Sequence, residues 1–276
     1  MSEAQLELAG DQQRLRLVQI TDTHLGREPG GTLLGLDTDF SLQQVLRRVK
    51  AERDGIDLVL GTGDIADSGA ESAYRRAADY FAELGAPALW LPGNHDLLET
   101  MCATLGRSGG LERVCLGRYW QIVMLNSQIP GQVGGRLGPD QLEFLEAQLR
   151  KGQEAGLFSL ICLHHQPVPM GSAWIDQQMV VDSEAFWHTL SGFDQVRAVL
   201  WGHVHQHLDS KRGDVQLLAT PSSCIQFAPA SDDFKVDDVA PGYRWLDLLA
   251  DGRIETGISR VTDVKFEVDL ESKGYL

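Results

Sequence analysis

The sequence has no long apolar run, no block of basic residues and no closely spaced pair of cysteines. No segment is apolar for long enough to span a bilayer as a helix, so we expect no membrane association. The first residues, MSEAQLELAGDQQ, lack the basic and apolar stretches of a signal peptide, and we therefore expect a cytoplasmic protein. A formal net charge of −15 without clustered Lys or Arg argues against nucleic acid as a partner.

Two further absences reduce the number of possible binding and catalytic sites. No glycine-rich phosphate loop of the GxGxxG or GxxxxGKS type occurs, and an anionic substrate would need another local source of positive charge, most simply a metal ion. The sequence contains four widely spaced cysteines and no CxxC pair, a pattern more typical of reduced core residues than of disulfides or zinc ligands. They are Cys102, Cys115, Cys162 and Cys224.

Strand-like apolar runs alternate with helical patterns. The helical spacing of apolar residues predicts helices over residues 39–53, 70–84 and 139–150, and YRWLDLL followed by RIETGISRV predicts a hairpin. Other apolar runs, including RLRLVQI, DLVLG, ALWL, LFSLICL and VRAVLW, each stop at a polar cluster. This alternation predicts one α/β domain over residues 1–276, in which helices cover a sheet and polar residues gather at the strand ends.

Five polar clusters follow the predicted strands, namely TDTH, GTGD, GNHD, LHHQP and GHVH. Each cluster alone is weak evidence for a metal site, because an Asp at a strand end is more often a cap or turn residue. Residues two apart on an extended strand point the same way, which would bring Asp22 beside His24 and His203 beside His205. Carboxylate, imidazole and amide ligands suit Zn, Fe or Mn, and their number suits two ions that share one carboxylate.

The order D-x-H, GD, GNHD, H, GHxH over residues 22–205 resembles the calcineurin-like metallophosphoesterases. The resemblance implies a four-layer αββα sandwich with two metal ions at one edge of the strands. It implies that Asp64 bridges the ions and that the remaining ligands divide into two sets. These are Asp22, His24 and His205 for one ion, and Asn94, His164 and His203 for the other.

Several neighbouring residues are ambiguous. His165 follows His164 directly, and strand alternation favours His164 as the ligand, with His165 packed or hydrogen-bonded elsewhere. Asp67 resembles the second Asp of the family's GD-x-x-D block; it either orients a ligand or water, or caps the helix that begins near Gly69. His207 is expected to be solvated or to lie behind the ligands, and His188 to lie on a helix surface.

Differences from some branches of the family reduce the number of candidate substrates. GDIADSGAES lacks the early Arg of the protein phosphatases, which also carry GNHE, and it lacks the Tyr of purple acid phosphatases. PVPMGSAWID and ATPSSCIQF instead resemble the bacterial class III 3′,5′-cyclic AMP phosphodiesterases. The resemblance implies hydrolysis of cAMP to 5′-AMP and a lowering of intracellular cAMP. A broader phosphodiesterase, including one for 2′,3′-cyclic nucleotides, and a non-catalytic scaffold are the alternatives, although a scaffold would be expected to lose ligands.

The expected mechanism divides the GNHD block between metal binding and proton transfer. A hydroxide held between the ions attacks phosphorus in line, and His95, beside Asn94, protonates the leaving 3′ oxygen. Asp96 either orients His95 or caps a helix from Leu97. The expected substrate contacts come from His24, Asp64, Asn94, His95 and His205. Among the metals, Fe and Mn are favoured over Zn. The protein is expected to be a monomer or homodimer. The acidic stretch SDDFKVDDVAPGYRW is either a lid or a surface loop.

Overall fold

The computed structural model describes residues 2–8, 13–106 and 110–274, and two mixed β-sheets form its centre. The first sheet has five strands in the order β16-β15-β2-β5-β6, where β2, β5 and β6 are parallel and β15 and β16 are antiparallel additions. Its strands are β2 (Arg14–Ile20), β5 (Leu58–Thr62), β6 (Ala88–Leu91), β15 (Gly242–Leu249) and β16 (Ile254–Arg260). The last two form the hairpin that the sequence predicts.

The second sheet has seven strands in the order β1-β7-β8-β9-β10-β12-β11. Strands β8, β9, β10 and β12 run parallel to one another, while β7 and β11 pair antiparallel with β8 and β12. The strands are β1 (Ser2–Glu7), β7 (Glu112–Leu116), β8 (Trp120–Met124), β9 (Phe158–Cys162), β10 (Val196–Trp201), β11 (Leu208–Arg212) and β12 (Val215–Ala219).

Six helices and two short strand pairs complete the described structure. The helices are α1 (Thr38–Glu52), α2 (Glu71–Ala82), α3 (Leu98–Leu105), α4 (Gly138–Glu154), α5 (Ala173–Asp176) and α6 (Ser183–Leu190). The pairs are β3 (Thr32–Leu33) with β4 (Leu36–Asp37), and β13 (Gln226–Phe227) with β14 (Val236–Asp237). The three predicted helices are confirmed as α1, α2 and α4, with ends that differ by one to four residues.

Alternating side chains on each strand enter different layers of the core. In β2, Leu17 packs between the two sheets, while Val18 packs under α1 and α2. In β9, Leu160 joins the layer between the sheets and Ile161 packs under α4 and α6. Because successive strand residues face opposite sides, each sheet buries both faces, and the predicted αββα sandwich is confirmed.

The polar clusters all follow parallel strands. Asp22, Asp64 and Asn94 come directly after β2, β5 and β6, and His164 and His203 come after β9 and β10. Parallel strands end at the same edge of a sheet, and hydrogen bonds such as Gly202 N–H to the His164 carbonyl (3.1 Å) continue between the loops. The fold therefore delivers polar loops from both sheets to one edge.

Three other predictions concern the rest of the chain. In the described part, no helix combines the length and apolar character needed to cross a bilayer. All four cysteines are unpaired, and Cys115, Cys162 and Cys224 are buried, as predicted. Of the N-terminal stretch assessed for export, residues 2–7 form β1, whereas residues 1 and 9–12 lie outside the described residues.

Candidate metal centre

The loops that carry the clusters have an unusual backbone. The φ angles of Asp22, His24, Asp64, His203 and His205 lie between 45° and 66°, the left-handed region that non-glycine residues rarely adopt. The expectation that Asp22–His24 and His203–His205 lie on extended strands is therefore wrong, because β2 ends at Ile20 and β10 at Trp201. The side chains converge through tight turns beyond the strands, and strained turns of this kind often occur at functional sites.

One cluster contains the residues predicted for the first ion. The ligand atoms of Asp22, His24 and His205 all lie within 4.8 Å of one another, and all three side chains are buried. His205 Nε2 is 3.2 Å from Asp22 Oδ1 and 3.3 Å from His24 Nε2. One carboxylate and two imidazoles at this spacing form a compact set of oxygen and nitrogen donors for a divalent ion.

A second group lies beside the first and is joined to it by Asp64. His164 Nε2 is 3.2 Å from Asn94 Oδ1, and the ring of His203 is centred 5.1 Å from that of His164. Asp64 Oδ2 lies 3.3 Å from His164 Nε2 and 3.8 Å from His24 Nε2, so this carboxylate faces both groups. The structure thus brings the seven predicted ligands together, and the geometry supports Asp64 as the bridge.

Backbone carbonyls fix the orientation of two of the imidazoles. His164 Nδ1 is 2.8 Å from the Thr62 carbonyl, and His205 Nδ1 is 2.9 Å from the Ile225 carbonyl. A carbonyl only accepts, so each Nδ1 carries a proton, and Nε2 is the nitrogen that would give its lone pair to a metal ion. Both Nε2 atoms face the clusters and are ready to coordinate a cation.

His165 has different partners. Its Nδ1 lies 2.8 Å from Ser127 Oγ and its Nε2 lies 3.0 Å from the Val133 carbonyl. Burial and the neighbouring His164 lower the pKa of His165 to about 3, so the ring is neutral. Both of its nitrogens are already engaged, and these contacts support His164 as the ligand and His165 as a packed, hydrogen-bonded neighbour.

Two observations test whether the group fits metal ions. His203 Nε2 is buried and has no hydrogen-bond partner among the residues that the structure describes, although a buried polar atom normally has one. A Cβ on Gly93 would lie 2.2 Å from Asp64 Oδ1, and a Cβ on Gly63, at φ +100°, would lie 2.3 Å from His164 Nδ1. Only glycine at both positions allows these side chains to pack so closely. A metal ion would give His203 Nε2 the partner that it lacks. The donor set therefore fits two metal ions.

The electrostatics of the group also favour added positive charge. Burial opposes ionisation of Asp64, but His164 and His95 outweigh it and hold the pKa of Asp64 well below its usual value. Burial likewise lowers the pKa of His164, yet Asp64 and Asp22 raise it to about 9. Two buried carboxylates so close together need a cationic neighbour.

His95 lies at the accessible side of the centre. Its backbone N–H donates to Asp64 Oδ1 at 2.8 Å, and its Nδ1 lies 3.2 Å from the Asp67 carbonyl. Its ring packs edge to face against that of His24, with centroids 4.8 Å apart, and its side chain keeps 12% of its surface exposed. His95 therefore reaches the centre while remaining open to a ligand.

Asp96 does not cap α3, and the partners of its carboxylate in the described structure are groups other than the His95 imidazole. Its carboxylate accepts hydrogen bonds from the backbone N–H groups of Ile65, Ala66 and Gly93 and from Tyr74 Oη. Helix α3 has Leu97 at its N-cap without any side-chain cap, and the imidazole of His95 is instead oriented by the Asp67 carbonyl. Asp96 is buried behind the site, where it joins the GD and GNHD loops.

The Asp96→Ala variant is expected to unfold more readily, because three backbone N–H groups and one hydroxyl lose a charged acceptor. We expect its free energy of unfolding to fall by about 3 kcal/mol or more, and that of Tyr74→Phe, which removes one of the four bonds, by roughly 1–3 kcal/mol. Urea denaturation measures both. Native stability in Asp96→Ala together with slow turnover would instead favour a role in orienting His95.

Asp67 had two predicted roles, and the structure favours one of them. Helix α2 begins at Glu71 after Ala70, and no side chain caps it, so Asp67 is not its cap. Asp67 Oδ1 instead lies 3.6 Å from His24 Nδ1 and 3.8 Å from His95 Nδ1. The interaction with the nearby His24 ring lowers the pKa of Asp67 and favours its ionised form. Asp67 is placed to orient both rings.

Two other predictions concern histidines away from the centre, and both are confirmed. His207 is exposed and lies 2.9 Å from Asp209, and His188 lies on the exposed face of α6. The acidic stretch 231–245 is partly folded against the site, because Val236–Asp237 pair with β13 and the ring of Phe234 contacts those of Trp174 and Phe227.

Several residues that support the site could not be predicted from the sequence. Gln128 Nε2 donates at 2.6 Å to the carbonyls of both Gly93 and Asp96 and so holds the GNHD loop in place. Phe227 stacks face to face on the ring of His205, with centroids 4.2 Å apart and planes 9° from parallel. Phe227 lies within ATPSSCIQF, which had stood out only through its resemblance to the phosphodiesterases.

Sequence comparison reveals close relatives over almost the whole chain. A 3′,5′-cyclic adenosine monophosphate phosphodiesterase CpdA of Pseudomonas aeruginosa is 47% identical, with 94% of each chain covered. The protein of the same name from Escherichia coli K12 is 41% identical, with 98% of each covered. A 3′,5′-cyclic-nucleotide phosphodiesterase of Nostoc is 35% identical over 90% of this chain and 92% of its own.

Structural comparison agrees at the level of the fold. A dimetal phosphatase of Danio rerio superimposes with a TM-score of 0.63 at 14% identity, covering 90% of this chain and 99% of that one. The model of the calcineurin-like phosphoesterase family matches residues 15–207, which include all seven predicted ligands. Together with the relatives, this match confirms the predicted resemblance, and the chain belongs to the calcineurin-like phosphoesterase family.

Proposed function

We propose that the protein is a 3′,5′-cyclic AMP phosphodiesterase that forms 5′-AMP at a two-metal centre and so lowers intracellular cAMP. The observation that carries this proposal is the convergence of seven oxygen and nitrogen donors at one sheet edge, with Asp64 between two groups. The cAMP substrate is supported by relatives 41–47% identical over nearly the whole chain. We propose that residues 1–276 act as a single domain.

The ligands are proposed to divide as the two groups suggest. Asp22, His24 and His205 would hold one ion, Asn94, His164 and His203 would hold the other, and Asp64 would be shared between them. Two ions in such a site activate a water for in-line attack and neutralise the phosphate oxygens. The donors include no thiolate, and among the borderline divalent ions we favour Fe and Mn over Zn.

His95 is the proposed proton donor to the leaving 3′ oxygen. The Asp67 carbonyl accepts from Nδ1, so the proton given to the leaving oxygen would come from Nε2 of the protonated ring, which becomes neutral and keeps its Nδ1–H. The metal-facing residues His24, Asp64, Asn94 and His205 are proposed to contact the substrate together with His95, and Asn94 does so without adding negative charge that would repel phosphate.

The proposed setting follows from the charge of the chain and from its relatives. A net charge of −15 with no basic block suits a small-molecule substrate and neither nucleic acid nor an anionic membrane surface as a partner. We propose a cytoplasmic enzyme that is a monomer or a homodimer. Size-exclusion chromatography with light scattering measures the oligomeric state directly.

Metal analysis combined with a cAMP assay tests the proposed function. The purified protein is expected to contain two ions per chain and to convert cAMP to 5′-AMP, and chelation is expected to reduce turnover by at least about 100-fold until Fe or Mn is restored. The same assay with cGMP, 2′,3′-cAMP and a nitrophenyl diester measures selectivity. Full activity after verified metal removal would overturn the mechanism, and faster turnover of 2′,3′-cAMP would favour the broader phosphodiesterase.

A further inference from the structure

A small pocket opens directly beside the proposed metal centre. Its volume is about 190 Å³, and Asn94, His95 and His203 form the wall nearest the ions. Pockets for drug-sized ligands usually have volumes of about 300–1,000 Å³, so this one suits a single ring system rather than a whole nucleotide. A nucleotide whose phosphate lies on the ions would bring another part of itself into this pocket.

The far walls of the pocket are aromatic. Trp174, Phe227 and Phe234 line it and contact one another edge to face, with ring centroids 5.1–5.4 Å apart. Phe227 also stacks on the ring of His205, so the aromatic wall is continuous with a proposed metal ligand. Aromatic side chains are the usual partners of nucleobases, because every base presents a π-face to them.

Away from the metal centre, two polar side chains line the pocket beside the aromatic rings, Gln178 and Lys273, and Gln178 lies on the segment that also carries Trp174. Gln178 is held by its backbone, which donates to the Ile175 carbonyl at 3.0 Å and accepts from the Gly135 N–H at 3.3 Å. Across residues 2–8, 13–106 and 110–274, its side-chain amide has no hydrogen-bond partner. An amide offers one acceptor and a pair of donors, the complement of an adenine edge, which presents an amino group beside a ring nitrogen.

We propose that this pocket binds the adenine base of the substrate, with Trp174 and Phe227 as its stacking wall and Gln178 as the residue that reads the base edge. The proposal rests on the proposed function, since it assumes a nucleotide whose phosphate is bound by the metal centre. The base then contributes affinity at a distance from the reacting phosphorus, and these residues determine specificity without taking part in the chemistry.

Competitive inhibition separates the base from the rest of the nucleotide. AMP and ribose 5-phosphate share the sugar and the phosphate, and a nitrophenyl phosphodiester serves as the reporter substrate. The wild-type enzyme is expected to bind AMP at least about tenfold more tightly than ribose 5-phosphate, since stacking one base on an aromatic side chain commonly gives that much. Equal inhibition by the two ligands would overturn the base pocket.

Variants then assign the residues. Trp174→Leu and Gln178→Ala are expected to weaken AMP inhibition and raise KM for cAMP by about tenfold, while inhibition by ribose 5-phosphate stays within about twofold. Trp174→Phe keeps a ring and is expected to retain most of the affinity. Gln177→Ala is the matched control, because the neighbouring Gln177 is exposed and its amide donates to the Ala173 carbonyl.

The outcomes distinguish failure of the pocket from failure of the function. A parallel loss of AMP and ribose 5-phosphate inhibition would show that the variants disturb the metal centre, and it would overturn the assignment to the base. Unchanged AMP inhibition in both variants would overturn it as well. A wild-type enzyme that hydrolyses the nitrophenyl diester but not cAMP would instead refute the proposed function itself.

Discussion

His95→Ala is expected to hydrolyse cAMP two to four orders of magnitude more slowly than the wild-type enzyme, the usual contribution of a general acid or base. The imidazole lies at the open side of the centre, beside Asn94 but outside both proposed ligand sets. The hydrogen bond from its backbone N–H to Asp64 does not depend on the side chain and persists in the variant. Metal content is therefore expected to remain near two ions per chain.

Steady-state kinetics together with metal analysis of the same preparation test this expectation. A substrate with a nitrophenolate leaving group needs less protonation than an alkoxide, so the variant is expected to lose less activity on a nitrophenyl diester than on cAMP. His188→Ala, on the exposed face of α6, is the matched control. If His95→Ala loses an ion, or slows both substrates equally, His95 is not the proton donor.

Asp64→Ala is expected to abolish the paired site and to reduce turnover by about 10⁴-fold or more, because both ions lose their shared ligand. Asp64 Oδ2 lies 3.8 Å from His24 Nε2 and 3.3 Å from His164 Nε2, and these two imidazoles belong to different proposed ligand sets. Removal of this charge also leaves the imidazoles of the cluster to repel one another once they are protonated.

Metal analysis measures the bridge directly. Asp64→Ala is expected to retain at most one tightly bound ion, and Asp64→Asn, which preserves size but not charge, is expected to lie between it and the wild-type protein. Asp251→Ala is the control, since Asp251 lies in the β15–β16 turn and bonds only locally, to Arg253. Two tightly bound ions and full activity in Asp64→Ala would contradict the proposal that Asp64 bridges the ions.

The ligand positions could be predicted from the sequence, but the reason for their convergence could not. Strand periodicity reveals where β2, β5, β6, β9 and β10 end, and chemistry-bearing residues follow each end. Alternation on an extended strand then suggested how Asp22 and His24 share a direction. The backbone turns into the left-handed region instead, a conformation imposed by contacts such as the bond from the Asp22 N–H to the Gly63 carbonyl.

Long-range contacts explain the other errors. Three of the four groups bonded to the carboxylate of Asp96 are 22, 30 and 31 positions away in sequence, and local patterns of capping could not reveal them. Strand β11 is largely exposed, and its sequence LDSKR has no apolar alternation that would predict a strand. Pairing with β12 forms this strand, and tertiary context overrides a weak local preference.

The left-handed turns at the centre would link the amount of folded enzyme in a cell to its supply of metal. Five non-glycine residues hold this conformation, which costs on the order of 1 kcal/mol at each, against a typical folding stability of about 5–15 kcal/mol. Ions that bind only the folded chain offset this strain by mass action. Scarcity of the metal would thus lower the abundance of the enzyme as well as its activity, and cyclic AMP would rise in metal-starved cells for both reasons.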